Sequence, residues 1–319
     1  MRSIRLLCCL FCSIGAGLQT HPTAVPQTRP PAPVINEALA AQVALDRAGF
    51  SPGEIDGRPG QNVQRALSAF QQSHQLPTTG QMDDTTWKQL TSAGSGDAPP
   101  LIEYTLTDAD IAGPFTPDIP PKLPDQASLD SLNYRTPLEA IAERFHSSPA
   151  LLQRLNPQTT FQHAGERIMV PNVATTPPPS PAQDITVFVT KSTSALTIED
   201  GGGRILFHAP VTSGSIHDPL PIGTWKVNGV QRNPKFHYNP QLFWDATPGD
   251  CTATLQPGPN NPVGIVWIDL SKPHYGIHGT PEPSKIGHVE SHGCVRLTNW
   301  DADRVAQWVK PGTRVVFRE

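Results

Sequence analysis

Proline decides how this chain can be partitioned. It fixes φ and lacks an amide donor, so a dense run of it cannot pass through a helix or a sheet interior. Here 36 of 319 residues are proline, about twice the usual ~5%. They cluster in residues 21–33, between Pro99 and Pro124, and at Pro177-Pro178-Pro179 with Pro181. Such clusters read as linkers, so modules are expected rather than one continuous core. The intervals left over are 35–91, 129–172 and 184–319, with 92–128 and 173–183 as connectors, a plan suited to this length.

The amino terminus reads as an export signal. Arg2 and Arg5 precede a short apolar run, Leu6 to Gly17, that ends in small residues, and residues 1–20 are assigned to it. The run falls short of the ~20 residues that span a bilayer. A periplasmic, wall-associated chain with no transmembrane domain after processing is the expectation. Cys8, Cys9 and Cys12 leave with the signal; Cys251 and Cys294 remain. A pair in an exported protein invites a disulfide, but a bridge would consume the sulfur argued below to be reactive, so free thiols are expected at rest. The net charge of −4 and the lack of a phosphate-cradling glycine loop give no reason to expect nucleic acid.

Residues 35–91 carry three helical patterns. Ile35, Leu39 and Val43 recur every fourth position and stop at Gly49. Val63, Ala66, Leu67 and Phe70 form an i, i+3, i+4, i+7 stripe, and Asp83 is placed to cap a third helix with Trp87 and Leu90. In 129–172, Thr136-Pro137-Leu138-Glu139 has capping-box spacing with proline at the first helical position. Ser148-Pro149 opens a second helix, and Ile168-Met169-Val170 is a short strand. From Asp184 the pattern turns to strands: Ile185, Val187 and Val189 alternate, as do Leu196 and Ile198, before the Asp200–Gly203 turn. Residues 231–262 are long, aromatic and rich in Pro and Gly, and are expected to form either a lid bordering the cysteine or a surface hairpin with its own small core.

The chemistry concentrates in His278 to Arg296. His278 is followed by Ser291-His292-Gly293-Cys294-Val295-Arg296. A thiol of pKa ~8.5 is mostly protonated at neutral pH and needs a neighbouring base or cation to act as a nucleophile. His278, His292 and Arg296 are the candidates to supply that help. Gly293 leaves the sulfur uncrowded, so backbone amides can approach a developing oxyanion. His274, His278, His288 and His292 lack the helical spacing of a zinc motif, and neither metal nor other cofactor is expected.

This motif resembles the signature of the L,D-transpeptidase (YkuD-type) catalytic domain. The resemblance implies Cys294 as nucleophile, His278 as general base, and the Gly279 carbonyl orienting the imidazole. It assigns His292, Arg296, Ser291, Gly293 and Tyr275 to the donor site. The Pro221–Trp225 element fits the same family. Residues 35–91, with Asp56-Gly57, Ala69-Phe70-Gln71-Gln72, Leu76-Pro77 and Thr86-Trp87, resemble a three-helix peptidoglycan-binding domain. Residues 129–172 resemble a LysM module of βααβ order, with Tyr134-Arg135-Thr136 where that family has Gly-Asp-Thr.

The implied whole is a multidomain α+β protein: a three-helix bundle, a βααβ module and a mostly-β catalytic domain. Its implied activity is acyl transfer on peptidoglycan stem peptides in cell-wall synthesis and shape. The acceptor is either a second stem peptide or a wall-anchored protein. Hydrolysis at the same cysteine and a non-enzymatic wall-binding scaffold remain the alternatives.

Overall fold

Asn36 opens the first helix: its side chain accepts the Leu39 amide at 2.8 Å and anchors to the Gly57 carbonyl at 2.9 Å. The computed structural model describes residues 36–92, 98–173 and 184–319. The export signal, the leader through residue 35 and most of the 173–183 connector lie outside them. Helix α1 (Glu37–Arg47), α2 (Gln61–Ser73) and α3 (Asp84–Leu90) form the bundle. The sequence stripe Val63, Ala66, Leu67 and Phe70 is buried, and Asp83 caps α3 through the Thr86 amide at 2.7 Å. Trp87 is exposed instead of packed.

The next module departs from the expected boundaries. Its first strand is β1 (Leu101–Thr105), inside the segment read as the 92–128 connector. After α4 (Asp108–Ala112) and α5 (Leu123–Gln126) come α6 (Pro137–Arg144), α7 (Pro149–Leu155) and β2 (Arg167–Pro171), which pairs antiparallel with β1 along its whole length. The 129–172 interval by itself therefore holds two helices and one strand, and the strand that would complete a βααβ order comes from Leu101–Thr105, with residues 106–136 inserted between. That insertion has a packing role of its own. Ile119, Leu123, Leu129 and Leu132 form a small core with Tyr238, Phe243 and Leu255 of the 231–262 loop.

Residues 184–319 build a nine-stranded sheet. Its strands are β3 (Ile185–Thr190), β4 (Ala195–Asp200), β5 (Ile205–Pro210), β6 (Thr212–Ser213), β7 (Gly223–Arg232), β10 (Val266–Leu270), β11 (Gly276–His278), β12 (Val295–Arg296) and β13 (Arg314–Arg318). They run in the order β5-β4-β3-β13-β7-β10-β11-β12-β6. A separate hairpin, β8 (Phe236–Tyr238) with β9 (Ala253–Leu255), lies in the lid segment, and α8 (Asn299–Trp308) follows β12 directly. Val305 and Trp308 on α8 face the sheet core, where Val187, Ile198, Ile268 and Phe317 are buried. Each such side chain contributes roughly 1.5–3 kcal/mol by burial.

The modules do not hang on linkers, as the proline pattern suggested; from α1 onward they pack into one unit. Leu39, Val43 and Ile55 of the bundle share a core with Ile141, Leu152 and Ile168 of the second module. Ile205 of β5 joins the bundle core. Polar contacts seal the same boundaries. Ser51 donates to Asp301 Oδ2 at 2.8 Å, and Arg304 grips Asp46 through two nitrogens at 3.0 and 3.1 Å. Asp46 also meets His146 Nδ1 at 3.0 Å. Arg304 and His146 hold its carboxylate well below the usual range against the opposing effect of burial. Removing one partner of such a buried pair is far more damaging than never having built it.

Candidate active site

Strands β11 and β12 run parallel, with Ile277 opposite Val295 and His278 opposite Arg296. This register brings the two halves of the motif together: His278 ends one strand, and Cys294 immediately precedes its neighbour. On its other side His278 faces Trp267 of β10, and the two rings stack at 5.5 Å.

His278 is 3% exposed. Its Nδ1 lies 2.7 Å from the Gly279 carbonyl. A carbonyl can only accept, so Nδ1 carries the proton and Nε2 keeps its lone pair. Burial first, then the Arg296 guanidinium, pushes the imidazole down to about 3, although the Gly279 carbonyl works in the other direction. At neutral pH the ring is an uncharged base. The neighbourhood of Gly279 is tight: a Cβ there would come within 2.1 Å of Asn299 Oδ1. Glycine is therefore required where the carbonyl that orients the ring is presented.

Cys294 remains partly accessible and unbridged, as does Cys251. Its Sγ points to the His274 carbonyl at 3.7 Å. Burial pushes the thiol up, the Gly276 amide and Arg296 pull it down, and Asp218 adds to the rise. At rest the two groups, on neighbouring strands, are thus a neutral thiol and a neutral imidazole rather than a preformed thiolate.

The turn before the sulfur is braced from inside. Ser291 Oγ donates to the Cys294 carbonyl at 2.7 Å and accepts the Gly214 amide at 2.8 Å. Its hydroxyl, expected at the donor site, holds the loop instead. Gly293 adopts φ of +97°, and a Cβ there would come within 2.8 Å of the Tyr275 ring. Tyr275 therefore lies flush against the motif, its phenol kept protonated by burial and by Asp218 and Cys294. The amides of His292 and Gly293 donate to no acceptor among the described residues.

His292 faces the lid. Arg296 approaches its Nδ1 at 3.4 Å, so Nε2 carries the proton and donates to Asp245 at 2.7 Å. Phe243 and Trp244 pack on the same ring at 5.0 and 5.7 Å. The long aromatic segment therefore borders the motif and also owns a small core, as a lid and as a hairpin at once. Arg296 meets no carboxylate within 4.0 Å among the described residues. Asp301 is held by Ser51 and Thr298, and Asp303 by Arg232.

Four participants were not singled out in the sequence. Asp218 and Asp245 are acidic residues in loops with no motif around them. Asn299 and Glu143 lie behind the base: Asn299 Nδ2 donates to Glu143 at 2.7 Å, and its Oδ1 accepts the Ile265 amide at 3.2 Å. Glu143 belongs to α6, so no local pattern connects it to this site.

The family model described as the L,D-transpeptidase catalytic domain (YkuD) matches residues 184–317, and that of a putative peptidoglycan-binding domain matches 36–90. The putative L,D-transpeptidase YkuD of Bacillus subtilis is 31% identical over 181 residues, 56% of this chain and 92% of its own. The Bacillus licheniformis protein of the same name is 32% identical over 180 residues, 56% of this chain and 91% of its own. The probable L,D-transpeptidase YbiS of Escherichia coli is 32% identical over 119 residues, 36% of this chain and 39% of its own.

Proposed function

Because this chain belongs to the L,D-transpeptidase family of YkuD type, we propose that Cys294 is its nucleophile and His278 its general base. It is a transpeptidase with peptidoglycan as its partner, associated with the cell wall. The finer reading is a two-step acyl transfer. Cys294 Sγ attacks the carbonyl of an L-centred residue in a stem peptide while its proton passes to His278 Nε2. The tetrahedral intermediate collapses to a thioester, and the same proton leaves on the departing D-amino acid. An acceptor amine then attacks the thioester, gives its proton to His278, and releases Cys294 as the thiol.

The observation that carries this reading is the free Nε2 lone pair of His278 on the strand adjoining Cys294, fixed by the Gly279 carbonyl. Since the imidazole resists protonation and the thiol resists ionisation, proton transfer accompanies attack rather than preceding it. Arg296 sits where it stabilises negative charge on sulfur, with Glu282 and Asp245 acting on it only from a distance, and it meets no carboxylate within 4.0 Å among the described residues, which suits a substrate carboxylate. The unpaired amides of His292 and Gly293 are suited to the oxyanion; one such donor is worth ~10²–10³ in rate. The lid aromatics Phe243 and Trp244 border the acyl chain. An exported, periplasmic location and a wall-anchored protein as a second acceptor belong to the same proposal. So does a LysM-like glycan role for the β1–α6–α7–β2 module, which rests on its strand and helix order.

Incubating the full chain with purified muropeptides and weighing the products tests the reaction. Cross-linked dimers that disappear in Cys294→Ala are expected, with a drop of ~10²–10⁴ for His278→Ala. Shortened stem peptides without dimers would replace transfer by hydrolysis. A Cys294→Ala variant as active as the parent removes the nucleophile assignment.

A further inference from the structure

A cleft of about 500 Å³ opens between α2 of the bundle and the β3–β4–β5 side of the sheet. It exists only because the two modules are docked. Gln64, Ser68 and Gln72 line it from α2, and Thr190, Thr193 and Thr197 from β3, β4 and the turn between them. It lies apart from the cysteine motif, and none of the chemistry above uses it.

The charged groups at its rim are already paired. Arg318 meets Glu199 at 3.6 Å and donates to Thr190 at 2.8 Å. Arg65 donates to Asn62 Oδ1 at 2.8 Å and to the Gly287 carbonyl at 3.2 Å. The groups left over are neutral: the Gln64 and Gln72 amides and the Ser68 hydroxyl make no hydrogen bond among the described residues.

A buried acceptor adds a second, independent sign. His208 lines the cleft and is 1% exposed. Its Nδ1 faces the Ser51 carbonyl at 3.2 Å, so Nδ1 is protonated and Nε2 is a bare lone pair without a partner. Burial, the dominant cause, pushes the ring down to about 4, so it stays neutral. Buried polar atoms without a partner are uncommon and ask for an explanation.

We propose that this cleft seats the glycan strand of peptidoglycan, an N-acetylated oligosaccharide, against both modules at once. The proposal rests on the peptidoglycan partnership of this chain. Hydroxyls and acetamides both donate and accept, which the Gln64 and Gln72 amides and the Ser68 hydroxyl match in both directions, while the threonine hydroxyls are engaged within the cleft wall. A stem peptide, with its carboxylates, calls for an uncommitted cation, and Arg65 and Arg318 are taken. The His208 lone pair receives a sugar hydroxyl or a water bound with it. Helix α2 also reaches the loop between His278 and Cys294, through Asn62 to the Ile286 carbonyl at 2.9 Å. The strand is thus held by the same helix that braces the catalytic loop.

The test uses the full chain and insoluble peptidoglycan. Co-sedimentation is measured for the parent, for Ser68→Trp, which fills the cleft, and for Gln64→Ala/Gln72→Ala, which leaves the fold untouched. Competition is with glycan chains stripped of stem peptides, or with free stem peptides. A tenfold or greater loss of retention in Ser68→Trp, about fivefold in the double variant, and displacement by stripped glycan alone are expected. Acylation of Cys294 by a carbapenem, which the L,D-transpeptidase resemblance implies, should be unchanged in both. Parent-like retention by both variants overturns the cleft and leaves wall binding to another face. Displacement by stem peptides overturns the glycan assignment. No retention of the parent removes wall binding itself together with the cleft.

Discussion

Asn299 Nδ2 donates to Glu143 Oε1 across 2.7 Å, joining the helical second module to the back of the active site. The Asn299 amide is wedged between Gly264 and Gly279, where a Cβ on either would come within 1.9 or 2.1 Å of its Oδ1. Gly279 in turn holds His278 Nδ1. Glu143 is thus a positioning residue acting through Asn299. Glu143→Ala should lower kcat about tenfold with KM nearly unchanged, the effect of one lost hydrogen bond to a charged or strongly polar group. Glu143→Gln, which keeps the acceptor oxygen, should restore most of it. Steady-state kinetics of both variants decide this; equal kcat in parent and Glu143→Ala counts against the role.

The same carboxyl makes stability depend on pH. Burial raises Glu143 to about 8, with Glu139 and Glu54 adding to the rise and hydrogen bonds from Asn299 and Tyr134 opposing it. The native state therefore holds a proton that the unfolded chain, near 4.5, has already released. Its contribution is complete below about pH 4.5 and is lost as pH rises toward 8, at no more than about 1.4 kcal/mol per unit. Urea midpoints of the parent should fall relative to Glu143→Gln between pH 5 and 8. Parallel curves would show that Glu143 titrates normally.

Arg296 touches His292 but no carboxylate among the described residues. Charge-conserving Arg296→Lys loses the planar fork while keeping the cation. Activity on stem peptides should drop ~10–100-fold in kcat/KM, with thermal stability close to that of the parent. Unchanged kcat/KM would leave Arg296 as a purely local charge near the sulfur.

Leu132, fully buried, plugs the small core beneath the lid hairpin with Tyr238 and Leu255. Leu132→Ala should cost about 2–5 kcal/mol locally. Because Phe243 extends from that core to His292, amide exchange in 236–255 should quicken, and carbapenem labelling of Cys294 should slow. Normal labelling with faster exchange would separate the lid from the chemistry.

Much of the local structure was readable because it follows short-range periods. The Val63–Phe70 stripe, the Asp83 cap and the alternation from Ile185 to Ile198 each declare one element. The cysteine motif is compact in sequence, so its membership was readable too. What escaped were contacts fixed only by the closed fold. The run Leu101 to Leu106 reads as a short strand, but nothing in it names its partner, Arg167–Pro171. Ser51 and Asp301 meet across 250 positions. Asp46 and Arg304 carry charges that locally read as surface, yet their mutual pairing lets Asp46 be fully buried and Arg304 largely so. The neutral state of His278 likewise depends on enclosure that no spacing reveals.

The shared core between bundle and sheet has a consequence for reach. An anchor on a flexible leash lets its enzyme sweep a sphere of nearby bonds. Here Ile205 and Asp301 tie the bundle to the catalytic sheet, so packing rather than a leash sets the span from bundle to cysteine. With the wall contact proposed for the bundle, a protein of this build works like a caliper fixed at one opening.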